Sequence, residues 1–134
     1  MDFLKEAHKL LERCDEMEIA SVDLQGYPRV CVVSKLKSKG IDVIYFATGA
    51  SGTKANHFNQ NPKASVCFHD RCDSVTLVGE VAIVKDLEEK KSVWRDWLTN
   101  HFKDGVEDDE FCLLKFEAKE ATFWIKRNFA TQSL

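Results

Sequence analysis

Three features are missing from this sequence, and each absence argues against a class of function. No apolar run approaches the roughly 20 residues that a helix needs to cross a bilayer, and the opening residues MDFLKEAHKLLERC contain no apolar core of a secretory signal. The basic residues form no stripe, because 19 Lys and Arg are spread among 22 Asp and Glu, which leaves a net charge of −3. We therefore expect a cytoplasmic protein that binds neither membranes nor nucleic acid.

The sequence also lacks any Cys-x-x-Cys pair. Its five cysteines are an odd number embedded in apolar-patterned segments, which indicates reduced, mostly buried thiols rather than a disulfide framework. Cys67, His69 and Cys72 are close in sequence, but a fourth ligand at the spacing of a zinc site is missing. The acidic segment 103–110 lacks the alternation of a calcium-binding loop. We expect no metal site and a solvated acidic loop.

What the sequence does contain fits one mainly β domain covering residues 1–134. At 134 residues with 44% hydrophobic side chains, the chain can bury a single core. Segments rich in Val, Ile and aromatic residues, separated by turn residues, predict strands at 19–23, 29–37, 42–48, 63–71, 74–85, 111–120 and 121–126. The first connections are too short for crossover helices, so consecutive strands should pair antiparallel. Gly79, in mid-strand, predicts a bulge or a close backbone approach.

Three segments predict helices. Apolar residues from Phe3 to Met17 recur three and four apart, which predicts an amphipathic opening helix. A short helix is expected over 51–61, ending before Pro62. Asp86 and the Glu three residues after it form a capping-box pattern, which predicts a further helix ending near His101. About seven strands with two or three helices predict a small antiparallel β-barrel.

The segment with the clearest chemical potential joins the strand ending Phe46-Ala47-Thr48 to a helix through the loop GASGT. Free amide N–H groups and the dipole at a helix start favour an anion such as phosphate, and Ser51, Thr53 and Lys54 would add donors. An ordinary N-capped helix carries the same residue types, and the loop is not of the Walker type. The local chemistry alone therefore leaves both interpretations open.

The order of several motifs along the chain resembles that of the pyridoxamine 5'-phosphate oxidase-like family, and the general stress protein branch in particular. These motifs are IASVDLQGYPRVCVVSK, YFATGASGTKANHFNQNPKASVCF, VTLVGEVAIVKD, a Trp-bearing helix and FCLLKFEAKEATFW. The resemblance extends from about Ile19 to Trp124. It implies an antiparallel split β-barrel that binds FMN and works as a homodimer, with the flavin in a groove between the subunits.

The resemblance also implies which residues contact the cofactor. By position, the strand that follows the flavin ring and ribityl chain contains Arg29, Val30, Cys31, Val32, Val33 and Ser34. Ala47 and Thr48 match the pair that ends the next strand, and Lys54 matches the basic residue at the FMN phosphate. The remaining matched positions are Ser51, Thr53, Ser74 and Trp124.

Several positions depart from the family pattern. Thr53 stands where the family often has Arg, and Ser74 stands where the vitamin-oxidising enzymes carry Gln against the ring. After Trp124 the sequence reads IKRNFATQSL in place of the Arg-Leu-His-Asp-Arg run of those enzymes. The resemblance therefore implies a flavin-dependent oxidoreductase that is not a true pyridoxamine phosphate oxidase. A non-catalytic flavin-binding or stress-related protein is the alternative, and a haem-binding split barrel with a histidine ligand is a further one. No catalytic residue and no substrate can be assigned from the sequence.

Overall fold

Seven antiparallel strands and three α-helices make up the structure, a computed structural model that describes residues 1–134. In chain order the elements are α1 (Phe3–Arg13), β1 (Glu16–Val22), β2 (Pro28–Lys39), β3 (Val43–Gly49), α2 (Thr53–Gln60), β4 (Lys63–Asp70), β5 (Asp73–Val84), α3 (Leu87–Val93), β6 (Phe111–Ile125) and β7 (Asn128–Ser133). Two short 3-10 helices, Asp96–Asn100 and Gly105–Glu107, lie between α3 and β6. No helix is both long and apolar enough to span a bilayer.

Six of the strands close into a barrel. The hydrogen-bonded order is β3-β2-β1-β4-β5-β6, β6 pairs back onto β3, and β7 adds a further strand at the edge of β6. A cluster of 23 buried residues, with Phe46, Phe68 and Phe116 among the largest, fills the interior and the contacts with α1 and α2. The predicted fold class, a mainly β antiparallel barrel with about seven strands, is confirmed.

The barrel wall is split between β2 and β3. The two strands pair only where Lys35–Lys39 faces Val43–Phe46. The first part of β2, residues 28–34, pairs with β1 on one edge and with no strand on the other. Strand β3 pairs with β6 along its other edge over its whole length, so Ala47–Gly49 also have no partner on the β2 side. An unpaired strand edge presents free backbone N–H and C=O groups, so this opening is where the wall can bind another molecule.

The predicted boundary of the first helix was wrong. The helix ends at Arg13, and β1 begins at Glu16 rather than at residue 19. Met17 fits the helical spacing of the preceding residues, but it also starts an alternation with Ile19 and Ser21, all three of which are buried. Burial against the barrel core favours the strand pattern because successive strand residues point to opposite faces.

The predicted helix from Asp86 to about His101 is interrupted. The Asp86 carboxylate does cap α3 by accepting from the Glu89 N–H at 3.0 Å, but α3 ends at Val93. The Arg95 guanidinium donates to the Leu36 carbonyl at 2.7 and 3.0 Å. This contact ties the chain to β2, and a 3-10 helix follows.

The two predicted final strands are one continuous 15-residue strand, β6. The pairing of β5 with β6 shifts register between Val78 and Gly79, which is the predicted bulge. A Cβ on Gly79 would lie 2.0 Å from the Glu117 carbonyl oxygen, so only glycine fits this approach. The bulge lies close to the boundary predicted between the two strands. Strand β7, whose residues are mostly exposed, was missed because it shows no apolar alternation.

Candidate functional site

Two adjoining cavities lie along the unpaired edge of β2 and share Cys31. The first, about 580 Å³, is bounded by β2, the turn before it and α2, and its lining includes Asp23, Arg29, Val30, Thr53, Lys54 and His57. The second, about 410 Å³, is bounded by β2, the end of β3 and the first 3-10 helix, and its lining includes Val32, Val33, Ser34, Ala47, Thr48 and Trp97. Together they form one groove, which we call the split groove.

The first cavity carries a small positive charge. The Arg29 guanidinium Nε lies 2.8 Å from Asp23 Oδ2, and Asp23 Oδ1 accepts from the N–H groups of Gln25 and Tyr27 at 2.9 Å each. The Arg29 hydrogen bond, followed by the backbone N–H of Tyr27, lowers the pKa of Asp23 below its ordinary value of 3.8. Two cations, Arg29 and Lys54, and one carboxylate leave a formal charge of +1 among the ionised side chains lining this cavity.

The start of α2 lies at this cavity without a side-chain cap. Its N-cap is Gly52, in extended backbone, and no side chain accepts from the first-turn N–H groups. The sequence was also compatible with an ordinary side-chain N-cap at this helix, and that cap is not formed. Uncapped N–H groups at a helix start attract anions. Thr53, exposed, and the half-buried Lys54 occupy the first turn and line the cavity.

Ser51 was expected to donate to a phosphate, but in the structure its donors are taken by a side chain of the same protein. Its backbone N–H and its Oγ both donate to Glu110 Oε2, at 3.3 and 2.8 Å. The Ala50 N–H donates to the Glu110 carbonyl at 2.9 Å. Glu110 belongs to the segment that was expected to be a solvated loop. Its carboxylate thus takes the place of a bound anion at the turn before α2. Ser51 does not line the first cavity.

The second cavity is mostly apolar. Leu98 and Phe102 join the valines of β2 in its wall, and no Lys, Arg, Asp or Glu lines it. Trp97 is 43% exposed, and its ring is edge-on to His101 with centroids 6.1 Å apart. The sequence predicts Trp97 only on the apolar face of a helix and places His101 in no site. The exposure of Trp97 follows from the fold, so the sequence carries no signal that could have found this wall.

Ser74 and Trp124 lie outside the split groove of the chain. They are directly opposite each other on β5 and β6 and belong to an outward row that continues to His69 and Phe129. One chain therefore brings together ten of the expected residues: Arg29, Val30, Cys31, Val32, Val33, Ser34, Ala47, Thr48, Thr53 and Lys54. It leaves Ser51, Ser74 and Trp124 apart from them.

Comparison with protein families gives one match. The family described as Pyridoxamine 5'-phosphate oxidase matches residues 3–125, which is most of the chain and includes the whole split groove. No curated protein matches the chain.

Solved structures share the fold at low sequence identity. A protein related to general stress protein 26 from Clostridium acetobutylicum superposes with a TM-score of 0.89 at 23% identity, covering 98% of this chain and 94% of that one. General stress protein 26 from Bacillus anthracis gives 0.84 at 17% identity, with 100% of both chains covered. A haem-binding protein from Mycobacterium smegmatis gives 0.83 at 12% identity, covering 99% of this chain and 58% of that one.

Proposed function

The chain belongs to the pyridoxamine 5'-phosphate oxidase family, and on that premise we propose that it binds FMN in the split groove and acts as a flavin-dependent oxidoreductase. One observation carries the proposal. The groove has a cationic, donor-rich cavity at one end and an uncharged, mostly apolar cavity at the other, joined at Cys31. A phosphate ester linked to a flat ring has the same division of chemistry.

The residues present fit FMN at both ends. Lys54, Arg29 and the first-turn N–H groups of α2 would hold the phosphate. Val32, Val33 and Ala47 would pack against the ring, and the unpaired edge of β2 offers backbone groups to its polar atoms. The two volumes lie in the range of small-molecule sites. Bound FMN would supply the electron or hydride transfer, while the chain supplies binding and orientation.

We also propose that the chain forms a homodimer over the outward face of the barrel. Val30 and Val32, beside the groove, are 67% and 61% exposed. Trp124 and Phe129 form an exposed aromatic pair on β6 and β7. Exposed apolar side chains of this number mark an interaction surface. In such a dimer, Trp124 of the partner subunit would close the groove that a single chain leaves open.

Sedimentation equilibrium tests the dimer. We expect a species of twice 15.3 kDa with one FMN per chain. A 15.3 kDa species that binds FMN at full stoichiometry would contradict the proposal.

The proposed activity excludes oxidation of pyridoxamine phosphate at a useful rate. The second cavity offers no lysine or arginine to a second phosphate. Losing such a charged contact and the orientation it provides removes several kcal/mol of transition-state positioning, a rate loss of about a thousandfold. The measurement is pyridoxal phosphate formation under air, beside photoreduction and reoxidation of the bound flavin. Reduction without reoxidation by any acceptor would favour the non-catalytic flavin-binding alternative.

A ligand titration tests the proposed function as a whole. Flavin-free protein is titrated separately with FMN, riboflavin and hemin, following flavin fluorescence and the haem Soret band. We expect FMN to bind most tightly, at one per chain, and riboflavin more weakly because the phosphate end of the groove has nothing to hold. Hemin binding in preference to both flavins would replace the proposal with haem binding, for which His101 is the cavity-lining ligand candidate.

A cytoplasmic location remains a prediction.

A further inference from the structure

Two buried polar side chains of this chain, on β1 and α2, contact each other. Ser21 on β1 is 1% exposed and His57 on α2 is 7% exposed. Ser21 Oγ and His57 Nδ1 lie 2.8 Å apart. A buried polar group is costly unless it is hydrogen-bonded, so the position of this pair within an apolar core needs a reason.

Lys54 joins the pair to the first cavity of the split groove. Its Nζ donates to Ser21 Oγ at 3.2 Å. Lys54 and His57 are three residues apart on α2, which places them on the same side of the helix. Ser21 is directly opposite Arg29 in the β1–β2 ladder. The contact therefore lies beside the cavity, which Lys54, His57 and Arg29 line and Ser21 does not.

The chemistry of the three groups fixes the direction of the hydrogen bonds. An ammonium donates and never accepts, so Ser21 Oγ must accept from Lys54. Ser21 Oγ has two lone pairs and one hydrogen, and His57 Nδ1 is the only acceptor that the structure gives for that hydrogen. If the buried hydroxyl is to donate as well as accept, His57 Nδ1 must receive its hydrogen and carry none of its own. The network therefore assigns the ring hydrogen of His57 to Nε2.

We propose that Ser21 and His57 are positioning residues that hold the Lys54 ammonium ready for a phosphate, and so set how strongly the groove prefers a phosphorylated ligand. A free lysine loses rotamer freedom when it binds an anion, whereas one already held by a buried hydroxyl loses less. His57 contributes by accepting the Ser21 hydrogen, which keeps the Ser21 lone pairs turned toward Lys54. The proposal rests on the proposed function, because it assigns the phosphate of FMN to this cavity.

The first test is a double-mutant cycle read as the ratio of FMN to riboflavin affinity. Ser21→Ala should weaken FMN about two- to tenfold, less than the loss of Lys54 itself because the ammonium remains, and leave riboflavin unchanged. In a Lys54→Met background, Ser21→Ala should no longer change the ratio. Ser21→Thr keeps the hydroxyl and should restore most of the preference. A Ser21→Ala effect equal for both ligands, or undiminished in Lys54→Met, would overturn the proposal.

The second test needs no ligand. Nitrogen-15 NMR of the imidazole in the free protein should show His57 with its proton on Nε2, and Lys54→Met should alter that signal while leaving the exposed His101 signal unchanged. A proton on Nδ1 in the wild type would overturn the network.

The two tests separate the possible failures. If the wild type does not distinguish FMN from riboflavin, the proposed function fails, and with it the role of the network in phosphate preference. The NMR result then decides only whether the network itself exists. If FMN is preferred and Ser21→Ala keeps that preference, the positioning role alone fails.

Discussion

Lys54→Ala is the perturbation that most sharply separates a phosphate site from a merely cationic surface. Lys54 is half-buried at the first turn of α2, with its Nζ 3.2 Å from Ser21 Oγ, and it lines the cavity that also contains Arg29. Alanine has the highest helix propensity, so the substitution should leave α2 folded.

The magnitude follows from the kind of contact that is lost. A charge-assisted hydrogen bond contributes about 1.5–3 kcal/mol, which corresponds to a loss of affinity of about 10- to 150-fold. Because Lys54 is only half-buried, solvent screening places the expected loss for FMN at the lower end, about 10- to 30-fold. Riboflavin, which has no phosphate, should change less than about twofold by the same reasoning.

The assay is a flavin fluorescence titration of the variant with FMN and with riboflavin. Lys63→Ala provides a matched control, because Lys63 is an exposed lysine at the start of β4 that does not line the split groove. The control should bind both flavins like the wild type. Equal losses for FMN and riboflavin in Lys54→Ala, or an equal loss of FMN in the control, would refute the assignment of Lys54 to the phosphate.

Three further perturbations probe other parts of the structure. Trp97→Ala removes the exposed wall of the second cavity and should weaken FMN and riboflavin alike, by about two- to tenfold in the same titration, since an aromatic pair contributes about 0.5–1.5 kcal/mol; a change in FMN alone would contradict this. Asp23→Asn removes the partner of Arg29 but keeps an oxygen for the turn, so FMN affinity should rise about threefold at low salt, less at high salt. Because the pKa of Asp23 is lowered, the stability from its ion pair with Arg29 is fully present above pH 3.8 and is lost as the pH falls through that lowered pKa. Gly79→Ala should cost about 1–3 kcal/mol in urea unfolding, because its Cβ would meet the Glu117 carbonyl, and unchanged stability would refute the bulge geometry.

Local features of the fold were readable from the sequence, and each had a local physical cause. The Asp86 cap formed as predicted because its acceptor and the Glu89 N–H are three residues apart. Gly79 marked its bulge because only glycine tolerates that approach. By contrast, Met17 satisfies both a helical and an alternating pattern, and only the closed barrel decides between them.

The split groove was less readable, because it is made by contacts between distant segments. The loop chemistry indicated Lys54. It did not indicate the Ser21 hydroxyl, 33 residues away, which accepts a hydrogen bond from the Lys54 ammonium. The same loop indicated Ser51 as a free donor. In the structure the Glu110 carboxylate, 59 residues later, accepts hydrogen bonds from both the Ser51 N–H and its hydroxyl. Trp97 reaches the groove only because the chain leaves α3 early and continues as a 3-10 helix. None of these partners has a signal in sequence spacing.

The most direct test of the central claim is a crystal structure of the protein with FMN. We expect phosphate oxygens within hydrogen-bonding distance of Lys54 Nζ and the first turn of α2, with the ring in the second cavity between β2 and Trp97. A phosphate bound away from Lys54, or a ring lying outside the cavity lined by Val32 and Val33, would contradict it.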